Sequence, residues 1–248
     1  LVIQIRLLTK LSIKKDQTST VKNISSDQID ILPVESVGAI INMQSGVVDG
    51  HFRGGRNTEV TYLIDGMRVD EGFGGTSSSV EIEPETLSDL EIITGTFNAE
   101  YGKAMSGVVN QITKDGDNFF ESNFSINQSN YLTRNNSIFP GISNFDLNLN
   151  QDYKFQISGP IIKDILTFFA NFRTQDNLNH LNGYHYFNVT DSSDFSQDNP
   201  ADWYSEHSGT NNIVPMNYSI NKSTFLKLTL KPLSKFKISF IVSDNNDE

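Results

Sequence analysis

The chain has 248 residues, enough for one or two domains with a proper core, and carries a net charge of −11 with a pI near 4.8. That balance argues against a nucleic-acid partner, which needs a basic face, and the absence of cysteine excludes a disulfide framework and a thiolate metal site. Mean hydropathy is −0.34 and no run of about 18 apolar residues occurs, so no membrane-spanning helix is predicted; alternating barrel strands would not show in such an average.

Residue 1 is Leu and no signal-peptide pattern follows, so the start reads as internal to a longer protein. Residues Leu1 to Leu11 are apolar and irregular, a strand or the end of an upstream domain, and Lys14 to Thr20 are polar, a linker or an exposed strand. Ser25 with Gln28 three residues on is a capping-box pattern ahead of Ile29, Ile31 and Leu32. Pro33 then breaks or restarts the helix. From Val34 to Gln44, the spacing of Val37, Ile40 and Ile41 predicts a second helix, with Gly46 at its C′ position.

Short strands follow. Val60, Tyr62 and Ile64 share a face, and Asp65-Gly66 is a hairpin signal leading into Met67. Gly72 to Gly75 and Ser77 to Ser79 make a loop, and Pro84 between Glu83 and Glu85 suits the first turn of a short helix. Leu90 to Thr94 and Val108 to Thr113 are the next strands, completing a small mixed α/β unit of about 115 residues.

Past Gly116 the character changes: fourteen of the seventeen phenylalanines lie there, and strict alternation sets in. Five strands are predicted, over Phe119–Gln128, Asp146–Ser158, Leu166–Thr174, Thr224–Lys231 and Phe236–Ser243. Tight turns (159–164, 232–235) separate some, and long loops rich in Asn, Asp and Ser (129–144, 175–222) separate others, which is the outer-membrane barrel pattern. A soluble β-sandwich would also show one polar face, and alternation alone does not choose between the two.

No stretch has the spacing of an enzyme site. Ser106 lacks the first glycine of a nucleophile elbow, Gly72-Phe73-Gly74-Gly75 lacks the Lys of a phosphate loop, and His51, His180, His185 and His207 have no metal-ligand spacing. Asp65 reads as a turn residue. Arg53 and Arg56, flanking Gly54-Gly55, are either plain surface charge or held against acidic groups of another element.

Five motifs in order, Phe52-Arg53-Gly54-Gly55-Arg56, Ile64-Asp65-Gly66, Leu90-Glu91-Ile92-Ile93-Thr94-Gly95, Ala99-Glu100-Tyr101-Gly102 and Gly107-Val108-Val109-Asn110 with Thr113-Lys114, resemble the plug domain of TonB-dependent outer-membrane receptors. The closest flavour is the type with an upstream carboxypeptidase-regulatory-like domain. The resemblance implies an α+β plug, a small mixed sheet with short helices, followed by antiparallel transmembrane β-barrel strands. The expected division is 1–14 N-terminal linker or end of an upstream region, 15–117 plug, and 118–248 the first roughly five strands of a barrel of about 22, so that the barrel is incomplete in this chain.

The resemblance further implies a receptor in the bacterial outer membrane, not an enzyme and without a cofactor, that takes up a polar ligand such as a glycan, peptide or metal chelate. The partners implied are TonB, through a box near or before Leu1 that is not identified, and outer-membrane lipid. Arg53 matches the plug arginine that pairs with barrel acids, while the position of a second such arginine is Glu100 here. Arg56, Asn57, Arg68, Asp70, Glu71 and Phe73 fall in turns that the family points outward, toward ligand. Gly54, Gly55, Asp65, Gly66, Gly95, Gly102 and Gly107 are the structural turns. A soluble or surface β-rich binding protein, used for adhesion without transport, is the competing reading.

Overall fold

The computed structural model describes residues 2–7, 20–69, 80–95, 101, 104–143, 145–233 and 235–247. In chain order these form β1 (Val2–Leu7), β2 (Thr20–Ser25), α1 (Ser26–Ile31), α2 (Val37–Asn42), β3 (Val47–Val48), β4 (His51–Phe52), β5 (Val60–Ile64), β6 (Met67–Arg68), β7 (Leu87–Thr94) and β8 (Gly107–Thr113). They continue with β9 (Glu121–Ser129), β10 (Asn150–Ile162), β11 (Leu166–Asn177), β12 (Asn182–Tyr184), β13 (Ser193–Asp194), β14 (Tyr204–Ser205), β15 (Ile213–Pro215), β16 (Ser219–Leu233) and β17 (Phe236–Asp247). Two compact units result: Leu1–Phe124 with Phe155–Phe172 and Ser223–Asn245, and Ser125–Lys154 with Arg173–Lys222 and Asn246–Glu248.

The first unit is built on a five-stranded sheet ordered β2-β7-β8-β5-β6, in which β5 and β8 run parallel and the other neighbours antiparallel. The Asp65-Gly66 turn joins β5 to β6, with φ of 50° and 84°, the left-handed pair that a two-residue hairpin requires. Leu87, Leu90, Ile92 and Val109 of the sheet, Ile40 of α2 and Phe52 of β4 are essentially without exposure and form one core. Burial of this order stabilises by about 1.5–3 kcal/mol for each large apolar side chain.

The helices are shorter than the apolar spacing predicts. Ser25 N donates to Gln28 Oε1, as the capping box requires. The second helix begins only at Val37, because Ser36 caps it by accepting from Ala39 N at 3.2 Å, and it ends at Asn42. Gly46 is therefore not its C′ residue but part of the turn before β3. Pro84 opens a 3-10 turn over Pro84–Thr86.

The second sheet has the order β1-β17-β16-β11-β10-β9, in which β11 and β16 are adjacent although β12–β15 lie between them in sequence. All five strands are found, and each runs past its predicted C-terminal end, β9 by one residue to Ser129. β10 reaches Ile162, β11 Asn177 and β17 Asp247, and β16 extends in both directions to Ser219 and Leu233. The ladder is made by backbone groups and continues where apolar alternation has already stopped. Val2–Leu7, read as a strand or the end of an upstream domain, form a strand antiparallel to β17, which satisfies backbone groups on that edge.

In the second unit, residues 182–215 lie within the segment predicted to be a long polar loop and are instead an ordered ribbon. β12 pairs with β15 and β13 with β14, and between them His185 bonds Asn212 and Asn211, Gly209 N donates to Tyr186 O, and Glu206 N donates to Ser192 O. Elsewhere in that unit, Arg173 grips Asp152 with two hydrogen bonds, of 2.9 and 3.1 Å, both side chains being buried.

Candidate functional site

The long strands bury the wrong face for a water-soluble sheet. Within the first unit, Thr167, Asn171, Lys227, Thr229 and Ser239 are buried on the same phase as Phe169, Phe225 and Ile241, while Phe172, Leu226 and Leu228, on the opposite phase of the same strands, are 39% exposed. A soluble sandwich would reverse this arrangement, hiding the leucines and exposing the lysine. Polar-in and apolar-out is how a transmembrane barrel alternates.

Lys227, in the middle of β16, is 1% exposed, and its ammonium enters the turn region of the five-stranded sheet. Its Nζ donates to Asp65 Oδ2 at 2.9 Å, to Thr113 Oγ1 at 2.7 Å and to Thr113 O at 3.1 Å, and it pairs with Asp115 Oδ1 at 2.9 Å. Asp65 is fixed in turn by Thr113, whose N–H and Oγ1 donate to its two carboxylate oxygens at 2.9 and 2.7 Å. The positive φ of Asp65 places its carboxylate beside the end of β8.

Asp115, just past β8, gathers a second set of charges. Lys237 Nζ lies 2.6 Å and Lys231 Nζ 3.6 Å from its Oδ2, and Thr229 Oγ1 donates to its Oδ1 at 3.0 Å. Burial pushes the Asp115 carboxyl up, but the Lys227 and Lys237 ammonium groups outweigh it and hold it well below the usual carboxylate range. Further hydrogen bonds add to the seat: Gln156 Nε2 donates to Glu85 O, Ser223 Oγ to Glu83 Oε1 and Asn245 Nδ2 to Glu81 O.

Among the described residues, Arg53 meets a plug residue and not a barrel acid. Its backbone is left-handed at φ 48°, its side chain is exposed, and Nη2 donates to Thr20 Oγ1 at 3.0 Å. Among the described residues, the ion pairs that tie the plug segment to the long strands run from Asp65 and Asp115 to lysines, the opposite polarity to a plug arginine on barrel acids. Glu100 lies outside the described residues, as do Asp70, Glu71, Phe73 and Gly102. Arg56 and Arg68 are exposed, Asn57 opens the 3-10 turn Asn57–Glu59, and Arg56 N donates to Glu59 Oε2. Gly54, Gly66 and Gly95 take positive φ, while Gly55 and Gly107 are sites of close approach, to Ser106 and to the Phe52 ring.

Sequence reading passed over Lys227, Thr113, Asp115 and Lys237. The available signal was phase: Lys227 falls on the polar face of β16, and a cation in the middle of a lumen-facing row needs an acid opposite.

Residues 13–109 match the family model of the TonB-dependent receptor plug domain. That segment is similar to the plug domain of TonB-dependent receptors, and long antiparallel strands follow it. A curated relative, the TonB-dependent transporter Oar of Myxococcus xanthus, is 31% identical over 128 residues, which cover 48% of this chain and 12% of that protein. Solved structures share the fold. The siderophore receptor PirA of Acinetobacter baumannii superposes with a TM-score of 0.55 at 18% identity, over 92% of this chain and 32% of its own. The ferric yersiniabactin uptake receptor FyuA of Yersinia pestis gives 0.56 at 14% identity, over 92% and 31%. The pyoverdine-bound FpvA of P. aeruginosa gives 0.58 at 11% identity, over 95% and 26%. The chain thus spans a third or less of these relatives.

Proposed function

We propose that this chain is the plug and first barrel wall of a receptor that takes up a polar ligand across the outer membrane, energised through TonB. The observation that carries this reading is the inverted face of β11 and β16, with Lys227 buried against the plug and Leu226 and Leu228 left outward for lipid. A plug works by filling a lumen and by being displaced. Charge pairs and hydrogen bonds suit a separable seat, because water can replace them when the plug moves.

In this reading the chain performs no catalysis. TonB engages a box that no residue here identifies, and Arg56, Asn57, Arg68, Asp70, Glu71 and Phe73 are the proposed outward contacts for ligand. Arg53 and Glu100 are retained as proposed gating residues, subordinate to Asp65, Asp115 and Lys227. The adhesion alternative has no comparable support, since a surface sheet in water would not bury a row of polar residues and expose leucines.

The test needs no knowledge of the ligand. Deleting residues 20–114 from the complete receptor opens the lumen, so cells bearing it become sensitive to antibiotics too large for ordinary porins. Correctly inserted receptor with unchanged sensitivity would overturn the plug reading.

A further inference from the structure

Among the described residues, the ribbon formed by residues 182–215 is strongly biased in chemistry. It holds Asp191, Asp194, Asp198, Asp202 and Glu206 and not one lysine or arginine. Along it stand Tyr184, Tyr186, Phe187, Phe195, Trp203 and Tyr204, each between 45% and 59% exposed. Large aromatic rings left half in water on an ordered element mark an interaction surface more often than chance exposure.

These rings are held in place. Tyr184 and Tyr186 lie 5.5 Å apart, Phe187 and His207 4.8 Å, and Phe195 meets Trp203 edge-on at 5.8 Å. The indole N–H of Trp203 donates to Gln197 O at 2.9 Å, so a ligand is offered the ring's face and not its donor. The acids are fixed as well. Asp191 accepts from Ser208 and from the Asn188 N–H, and Asp194 from Ser196 Oγ and its N–H. The Ser208 hydroxyl lowers the Asp191 carboxyl, and the Ser196 hydroxyl does the same for Asp194, so both stay anionic.

Fixed carboxylates among aromatic faces select for a cation that also has a flat or apolar body. A guanidinium stacks on the rings and pairs with the carboxylates, and a lysine stem covers ring surface while its ammonium meets the acid. An anionic metal chelate would meet like charge, and a neutral glycan could donate hydroxyls to the acids but would leave their charge uncompensated. We propose that this ribbon binds a basic peptide segment, one bearing several arginine or lysine side chains. The inference rests on the receptor reading only for placing the ribbon outside the cell, and it narrows the polar ligand named there to one class.

The complete receptor in detergent is titrated into a fluorescein-labelled peptide with four arginines spaced by Gly and Ser, beside peptides of equal length carrying four glutamates or no charge. The expected result is a saturable rise in anisotropy for the arginine peptide alone, weakening as salt is raised from about 20 to about 150 mM. Trp203→Ala weakens it about tenfold. Asp198→Asn with Asp202→Asn, which removes none of the hydrogen bonds named above, weakens it comparably in receptor that keeps its heat-modifiable migration. Equal binding of the neutral or acidic peptide, displacement by a maltooligosaccharide, or unchanged affinity in both variants would overturn the proposal. Peptide binding in a receptor whose plug deletion causes no leak would leave this inference standing and remove the uptake reading; leak without peptide binding would do the reverse.

Discussion

Lys227 Nζ lies 2.9 Å from Asp65 Oδ2, although the two residues are 162 positions apart in sequence. One belongs to a barrel strand and the other to the hairpin turn of the plug sheet, and both are buried. Removing one partner of a buried pair leaves the other charge stranded, which typically costs about 3–5 kcal/mol. Lys227→Met, similar in length and without charge, is therefore expected to lower the urea midpoint of plug release and to expose the plug to added protease in intact outer membranes.

Arg53→Ala should behave differently. The side chain is exposed and its hydrogen bond to Thr20 is a surface contact, so the expected cost is about 0–1 kcal/mol. The same protease assay ranks the two: Lys227→Met above Arg53→Ala. A reversed order would restore the arginine as the principal plug contact.

Much of this was legible from residues alone. The five motifs carried the resemblance to a plug, and the Asp65-Gly66 hairpin and the five long strands follow from turn chemistry and from a period of two. The seat was not, because it joins groups whose separate readings are bland. Asp65 satisfies the rules for a turn residue, and Lys227 those for the polar side of a strand. Only the closing of β16 around the plug brings them together. The helix ends were missed for a related reason: Val34 fits the apolar spacing, but the Ser36 cap sets the first turn.

Gly107→Ala tests the packing of the plug core. A Cβ there would lie 2.7 Å from the ring of Phe52, which has no exposure and no room to retreat. Overpacking of this kind costs about 1–3 kcal/mol. Gly38→Ala, in α2 with nothing within 4 Å of the new atom, is the control and should stabilise by about 0.5–1 kcal/mol. Urea melts of the two variants in detergent read both effects.

Acid should loosen the seat at Asp115. Its carboxyl is held below its ordinary value by Lys227 and Lys237 against the opposing effect of burial, so the folded state favours the charged form. The stabilisation is complete above the unfolded pKa of about 3.9 and fades as pH falls through that value toward the folded one. The gap in urea midpoint between the parent and Asp115→Asn is expected to be constant from about pH 7 to pH 5 and to shrink below about pH 4. A gap that widens in acid would contradict the assignment.

The most direct test of the charged seat is a double-mutant cycle on Asp65 and Lys227, with Asp65→Asn, Lys227→Met and the pair measured by urea unfolding of the complete receptor in detergent. A buried contact predicts a coupling energy of about 0.5–3 kcal/mol, with the double variant more stable than the sum of the two losses implies. Additivity within about 0.3–0.5 kcal/mol would mean that the two side chains do not meet, and that the plug is seated by some other contact.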